Sequence, residues 1–242
     1  RTHHWTFFLQ GGASCGGHAE CQERWCGRQG TYDASKMSSR FIAAPAIGGA
    51  GLLNGLARNP HGDTNVVFLY YCSSDQWTGR RANVVLSDEA GSAPYRIHFQ
   101  GHSIIEATLA RLRQGGATSD DGEVELPDLD EATEILWAGV SAGGVGATQH
   151  LDWFAAQFDP MQTRVSGVID AGFGPTFDSF DAEVESAVTE YMRERYTTTW
   201  APYYDAVLDS SCVAHPSNQD ENAWRCSDPT YVKLNHVTTP FF

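Results

Sequence analysis

The stretch Ile135-Leu136-Trp137-Ala138-Gly139-Val140-Ser141-Ala142-Gly143-Gly144 decides how the rest of this chain is read. An apolar, strand-like run enters Gly-x-Ser-x-Gly and leaves directly into a helical stripe of Leu151, Phe154, Ala155 and Phe158, closed by Asp159-Pro160. A strand before and a helix after are the context of a nucleophile elbow. The serine of such an elbow sits on a tight, strained turn, where side chains two residues to either side would collide; Gly139 and Gly143 remove that collision. The turn lifts the Ser141 hydroxyl above the sheet edge and aims the Ala142 amide into the same space. The helix N-terminus beneath adds positive potential for a developing oxyanion. The competing reading is a glycine-rich turn that only permits close packing.

Working outward, short apolar runs without strict alternation recur at residues 5–9, 65–71, 134–138, 165–169 and 238–242. Strands covered on both faces read this way, as in a parallel sheet. Helical patterns lie between them. Ser103-x-x-Glu106 is a capping box ahead of Ile105, Leu109 and Leu112, and a third helix is expected over 181–195, with a weak stripe through Val184, Val188 and Met192. Residues 87–95 and 115–131 read as surface loops. The alternation predicts a doubly wound α/β fold, with a mostly parallel sheet and helices on both faces, in a single domain over 1–242. Both ends read as cut: Trp5 to Leu9 starts almost at once, and Thr238-Thr239-Pro240-Phe241-Phe242 reads as the opening of a strand. The expectation is a piece of a longer protein, incomplete at both ends.

The 242 residues carry 12% aromatic and 19% charged residues, which excludes disorder, and a formal charge of −14, which argues against nucleic acid or anionic membranes as partners. No apolar run is long enough to span a membrane. Six cysteines favour an oxidising compartment. Cys15, His18, Cys21 and Cys26 have the look of a zinc knuckle, but the segment has no second Cys-x-x-Cys arm, so disulfides are favoured over metal. Cys212 and Cys226 bracket a polar stretch and read as a stapled loop.

An acyl-transfer site needs a second oxyanion donor, which in this fold comes from the loop after an early strand. Phe7-Phe8-Leu9-Gln10-Gly11-Gly12-Ala13 fits, with glycines that let backbone amides approach a carbonyl oxygen. Alone it is an ordinary Gly-Gly turn; coupled to Ser141 it becomes an oxyanion loop.

Several segments together resemble the pectin acetylesterase/Notum family of serine hydrolases. They are Phe8-Leu9-Gln10-Gly11-Gly12 followed by Cys15; Tyr71-Cys72-Ser73-Ser74-Asp75-Gln76-Trp77-Thr78-Gly79; Phe99-x-Gly101; Gly139 to Gly144; and Asp170-Ala171-Gly172-Phe173. The second is the most specific and leans to the Notum side. The resemblance implies an α/β-hydrolase-type fold and a secreted enzyme, needing no metal or other cofactor, that removes acyl groups from oxygen: acetyl from polysaccharide in one branch, a fatty acyl group from protein serine in the other. By residue, it implies Ser141 as nucleophile and Gly12, Ala13 and Ala142 as oxyanion amides. Notum carries Trp where this chain has Ala13, so an identical acyl pocket is not expected.

A serine nucleophile also needs a histidine base and an acid to orient it. The family places its acid just after a strand that opens on a Thr-Pro-like step, and its histidine later, so both are expected beyond Phe242. Within the chain the substitutes are Asp170, which also reads as a loop cap, and His236, which reads as a solvated or capping residue. Asp75 and Trp77 either line the site or lock the loop after a strand. Phe173, Phe177, Phe180, Trp200, Tyr203 and Tyr204 form either an acyl- or sugar-facing wall or core packing. The leading function is a carboxylic-ester hydrolase working through an acyl-enzyme at Ser141 on an ester-bearing substrate, an acylated polysaccharide or an acylated protein, with deacetylation of a polysaccharide as the example. A fatty-acyl protein deacylase and a catalytically silent binding module are the alternatives, and a zinc protein is the third class.

Overall fold

Six strands form in chain order: β1 (His4–Leu9), β2 (Asn65–Leu69), β3 (Arg81–Leu86), β4 (Tyr95–Phe99), β5 (Glu134–Val140) and β6 (Arg164–Asp170). The longer helices are α1 (His18–Cys26), α2 (Gly101–Arg113), α3 (Ala142–Ala155) and α4 (Ala182–Arg195), followed by the short α5 (Ser210–Ala214) and α6 (Pro229–Asn235). The structure is a computed structural model that describes residues 2–27, 33–42, 51–55, 59–88, 91–119, 122–172, 174–178 and 181–242.

Four strands make a wholly parallel sheet in the order β2-β1-β5-β6. The centre of such a sheet must be apolar on both faces, and β5 is buried from Ile135 through Gly139. On one face Trp5, Phe7, Ile135 and Trp137 meet α2 and α3. Phe154 of α3 packs on Trp137 with ring centroids 4.1 Å apart and on Phe7 at 5.2 Å. Burying a side chain of that size contributes about 1.5–3 kcal/mol. The Ile105-Leu109-Leu112 stripe of α2 joins the same core. Thr6, Leu136 and Ala138 point to the opposite face and are buried there too.

Several local expectations change. Helix α2 begins at Gly101, before the Ser103 capping box. Its first amides are taken by the neighbouring loop: Gly101 N–H donates to Asp75 Oδ2 at 2.7 Å and His102 N–H to the Gly79 carbonyl at 2.9 Å. Strands β3 and β4, not anticipated, pair antiparallel, and the loop expected at 87–95 is their connection. Their alternation is legible in retrospect, with Val84, Leu86, Ile97 and Phe99 buried against Trp200 and Tyr204. The strand expected at 238–242 is reduced to a single parallel bridge between Phe241 and Gly167, alongside β6. Asp152 of α3 anchors that segment by accepting from Thr238 N–H and Thr239 N–H, each at 2.8 Å. Residues Tyr196–Tyr204 continue from α4 as a π-helix, which the sequence pattern did not suggest.

Cys15 is bonded to Cys21 and Cys212 to Cys226, while Cys26 and Cys72 are free thiols. The zinc reading fails because Cys15 and Cys21 are consumed by each other, and His18 Nε2 lies 3.2 Å from the Ala93 carbonyl. Among the described residues no helix is long and apolar enough to cross a membrane.

Candidate active site

Ser141 is the single residue between β5 and α3, and its backbone (φ 55°, ψ −120°) lies in a region that side chains strongly disfavour. Such a conformation costs about 1–3 kcal/mol and persists only where its surroundings enforce it. Here Ser141 N–H donates to the Asp170 carbonyl at 2.9 Å, and the Ser141 carbonyl accepts from Val145 N–H at 3.0 Å. The serine is exposed, whereas Ala142, Gly143 and Gly144 are buried. The flanking glycines are dictated by contact. A Cβ on Gly139 would sit 2.1 Å from the Gly143 carbonyl oxygen, and one on Gly143 would sit 2.0 Å from that of Leu9.

The loop after β1 lies directly on this elbow, since a Cβ on Gly11 would be 2.5 Å from the Val140 oxygen and 3.0 Å from Ser141 Cβ. Gly12 (φ 143°) and Ala13 (φ 52°) continue in left-handed space. The loop is clamped along its length. Trp77 Nε1–H donates to the Gln10 carbonyl at 3.0 Å, and Gln10 Oε1 accepts from Tyr71 N–H at 3.0 Å. The Arg24 guanidinium donates to the Gly12 carbonyl through Nη2. Cys15 N–H reaches the Ser74 carbonyl at 3.0 Å, and the Tyr204 hydroxyl donates to the Cys15 carbonyl at 2.7 Å.

Of the two roles considered for Asp75 and Trp77, the structure shows the locking one: both side chains are fully buried behind the loop. Asp75 Oδ1 accepts from the Ser73 hydroxyl at 2.6 Å and Trp77 N–H at 3.1 Å, and Oδ2 takes Gly101 N–H. Loss of solvent pushes the Asp75 carboxyl up to about 6, against the pull of those donors. Behind Trp77, His150 of α3 donates Nε2–H to the Trp77 carbonyl at 2.9 Å, the only polarity a carbonyl allows. Burial, with His102 beside it, lowers His150 to about 3, so it is neutral. The residue that sequence reasoning passed over is Arg24, a buried cation at 2% exposure, unusual for a charged residue on an otherwise polar helix. Its helical position gave no sign of it.

Beyond the first turn of α3, at Val145, α4 leans over a cavity of ≈ 380 Å³ lined by Ala187, Val188, Met192, Trp200 and Pro229. The weak stripe of α4 thus faces this space, and none of its residues is buried in the core. Phe177 packs behind the cavity on Trp224 and Tyr231, with centroids at 5.0 and 4.7 Å. Tyr204 belongs to the core under the loop after β1, and Tyr203 packs against the same cluster. Phe173 and Phe180 lie outside the described residues.

The pectinacetylesterase family model matches residues 1–242. The chain belongs to the pectinacetylesterase family. It is 32% identical over 176 residues to palmitoleoyl-protein carboxylesterase notum1 of Xenopus laevis, covering 70% of this chain and 30% of that protein. It is 29% identical over 233 residues to the NOTUM enzyme of Homo sapiens (92% and 40%) and 27% over 242 residues to that of Schmidtea mediterranea (98% and 41%). The chain therefore spans well under half the length of these curated relatives.

Two in-chain substitutes for the acid and base of a family triad end in different places. Asp170 closes β6, exposed, and touches the elbow through its main-chain carbonyl. His236 caps α6 and, contrary to a solvated role, is buried: its ring lies edge-on to Tyr231 and His215, and Nε2 is 3.4 Å from Asn218 Nδ2. Loss of solvent lowers its pKa. Among the described residues neither the Asp170 carboxylate nor the His236 ring hydrogen-bonds to Ser141.

Proposed function

We propose that this chain carries the nucleophile and oxyanion loop of a secreted carboxylic-ester hydrolase. The observation that carries the reading is the backbone of Ser141, strained and exposed between a parallel strand and a helix N-terminus, with the Gly11 backbone packed against it. In this reading the Ser141 oxygen attacks the ester carbonyl carbon and a base takes its proton. The amides of Gly12, Ala13 and Ala142 stabilise the negative charge that develops on the carbonyl oxygen. The alcohol departs with the proton, leaving an acyl group on Ser141, and water releases it as the carboxylic acid by the same steps. Neither the Asp170 carboxylate nor the His236 ring is hydrogen-bonded to Ser141 among the described residues, so neither is assigned as that base or as the acid that orients it. Two disulfides support an extracellular setting.

The cavity beside α3 is the acyl site in this proposal. Its ≈ 380 Å³ equals the space of about a dozen waters, far more than an acetyl group fills. That volume favours a longer acyl chain, in line with the palmitoleoyl-protein carboxylesterase activity named for the relatives, over the acetylated polysaccharide named for the family. The net charge of −14 suits a neutral or cationic acceptor better than a polyanion.

The test is fluorophosphonate labelling of a chain that continues past Phe242, with p-nitrophenyl esters of two to sixteen carbons as substrates. Labelling at Ser141, lost in Ser141→Ala together with turnover, is the expected result. An unlabelled Ser141 in a folded, extended chain overturns the hydrolase reading. Steady turnover of p-nitrophenyl acetate by residues 1–242 alone, abolished by Ser141→Ala, would place the base within those residues.

A further inference from the structure

Arg24 brings a permanent positive charge to the back of the oxyanion loop. Helix α1 is held there by the Cys15–Cys21 disulfide at its start and by Glu20, which accepts from Gly16 N–H at 2.6 Å and from Arg195 Nη1 at 3.1 Å. From the last turn of α1 the guanidinium reaches two acceptors at once. Nη2 donates to the Gly12 carbonyl, and Nε donates to Ser74 Oγ at 2.8 Å. The Ser74 hydroxyl passes its own proton on to the Lys36 carbonyl at 2.7 Å, and the Lys36 methylenes pack where a Gly12 Cβ would lie. A planar fork serves both acceptors at fixed angles, whereas an ammonium is a compact charge with rotatable donors and holds no such geometry.

The Gly12 carbonyl and the Ala13 N–H are the two ends of one peptide group, joined by resonance. A charged donor on the oxygen draws electron density toward it and leaves the N–H a stronger donor, because hydrogen bonds in a chain polarise one another. We infer that Arg24 is a positioning residue of the ester-hydrolysis reaction, which clamps the Gly12–Ala13 peptide and polarises it so that the Ala13 amide binds the oxyanion more tightly than the ground-state carbonyl. The inference rests on the hydrolase reading of Ser141. It separates Arg24 from a residue that only holds loops together, because its effect grows with charge on the substrate oxygen and is therefore greater in the transition state.

The experiment compares wild type, Arg24→Met, Arg24→Lys and Arg24→Ala in the chain extended past Phe242, with kcat and KM for a p-nitrophenyl ester and the melting temperature of each. Arg24→Met is expected to lower kcat about tenfold or more while KM stays within about twofold, since an interaction made mainly in the transition state has been removed. Arg24→Lys is expected to fall between the two. Added guanidinium at low millimolar concentration is expected to restore part of the activity of Arg24→Ala and none in Ser141→Ala. A kcat within about twofold of wild type in folded Arg24→Met overturns the inference while the hydrolase reading stands. So does a loss confined to KM. Should Arg24→Met not fold, an unchanged kcat in Arg24→Lys overturns it equally. A wild type whose Ser141 neither labels nor turns over removes the hydrolase reading and this assignment with it.

Discussion

Replacing Gly143 by alanine tests the elbow at its tightest point. The added methyl would sit 2.0 Å from the Leu9 carbonyl oxygen and 2.7 Å from the Leu9 carbon, whereas ordinary contact begins at 3.4 Å. The two backbones must therefore separate by 3.4 − 2.0, or 1.4 Å, because neither neighbour is a flexible side chain. What moves is functional on either side: the end of β1 leads into Gln10–Ala13, and the first turn of α3 carries Ser141 and Ala142. Overpacking of this kind costs about 1–3 kcal/mol. For a chain of this length that lowers the melting temperature by about 2–12 °C. A displacement on the order of 1 Å between nucleophile and oxyanion donors costs about a hundredfold in rate. Thermal unfolding and the rate of fluorophosphonate labelling in the chain extended past Phe242 measure the two effects. Gly174→Ala is the control for stability, since nothing lies within 4 Å of its added Cβ, and its effect should stay within about 0.5 kcal/mol. A Gly143→Ala protein that melts and labels like wild type would refute the close approach of β1 to α3, and with it the elbow.

Two further outcomes follow from buried groups. Burial raises the Asp75 carboxyl from 3.8 to about 6, so the folded state holds this proton more tightly than the unfolded one. The contribution is complete below about pH 4 and is lost as pH rises through 6, a change of up to about 3 kcal/mol. Urea midpoints at pH 4.5, 5.5 and 6.5 should show wild type losing stability relative to Asp75→Asn as pH rises, and a pH-independent gap between them would refute the burial argument. The Cys212–Cys226 bridge closes a loop with a sequence separation of 14. Replacing both cysteines by serine should cost about 3 kcal/mol, read as a fall in melting temperature, and an unchanged transition would show that the loop is held by its other contacts.

The sheet, the elbow and the helix behind it were legible in the sequence because their determinants are local and repeated. Short apolar runs without alternation read as strands of a parallel sheet, and β1, β2, β5 and β6 fall on them. The stripe of Leu151 and Phe154 and the brackets Cys212 and Cys226 likewise lie where the pattern put them. The start of α2 was misread because a capping box is a property of the chain itself, whereas Gly101 N–H found its acceptor in Asp75, twenty-six residues earlier. The β3–β4 hairpin was passed over because half of each strand is polar, and only the presence of Trp200 and Tyr204 explains why the other half is buried.

What the residues alone determined is the set of parallel strands, the helix behind the elbow and the turn that holds a serine out of regular structure, since glycine spacing and hydrophobic period are read from neighbours in the chain. What the tertiary structure decided is which polar side chains are drawn inside to hold that turn's partner loop. Arg24, Trp77 and Tyr204 come from three separate segments and converge on residues 10–15, with Asp75 buried behind Trp77. A charge or an indole N–H acquires such a role only when water is removed and a carbonyl is placed within reach, and both conditions arise from packing across the sequence.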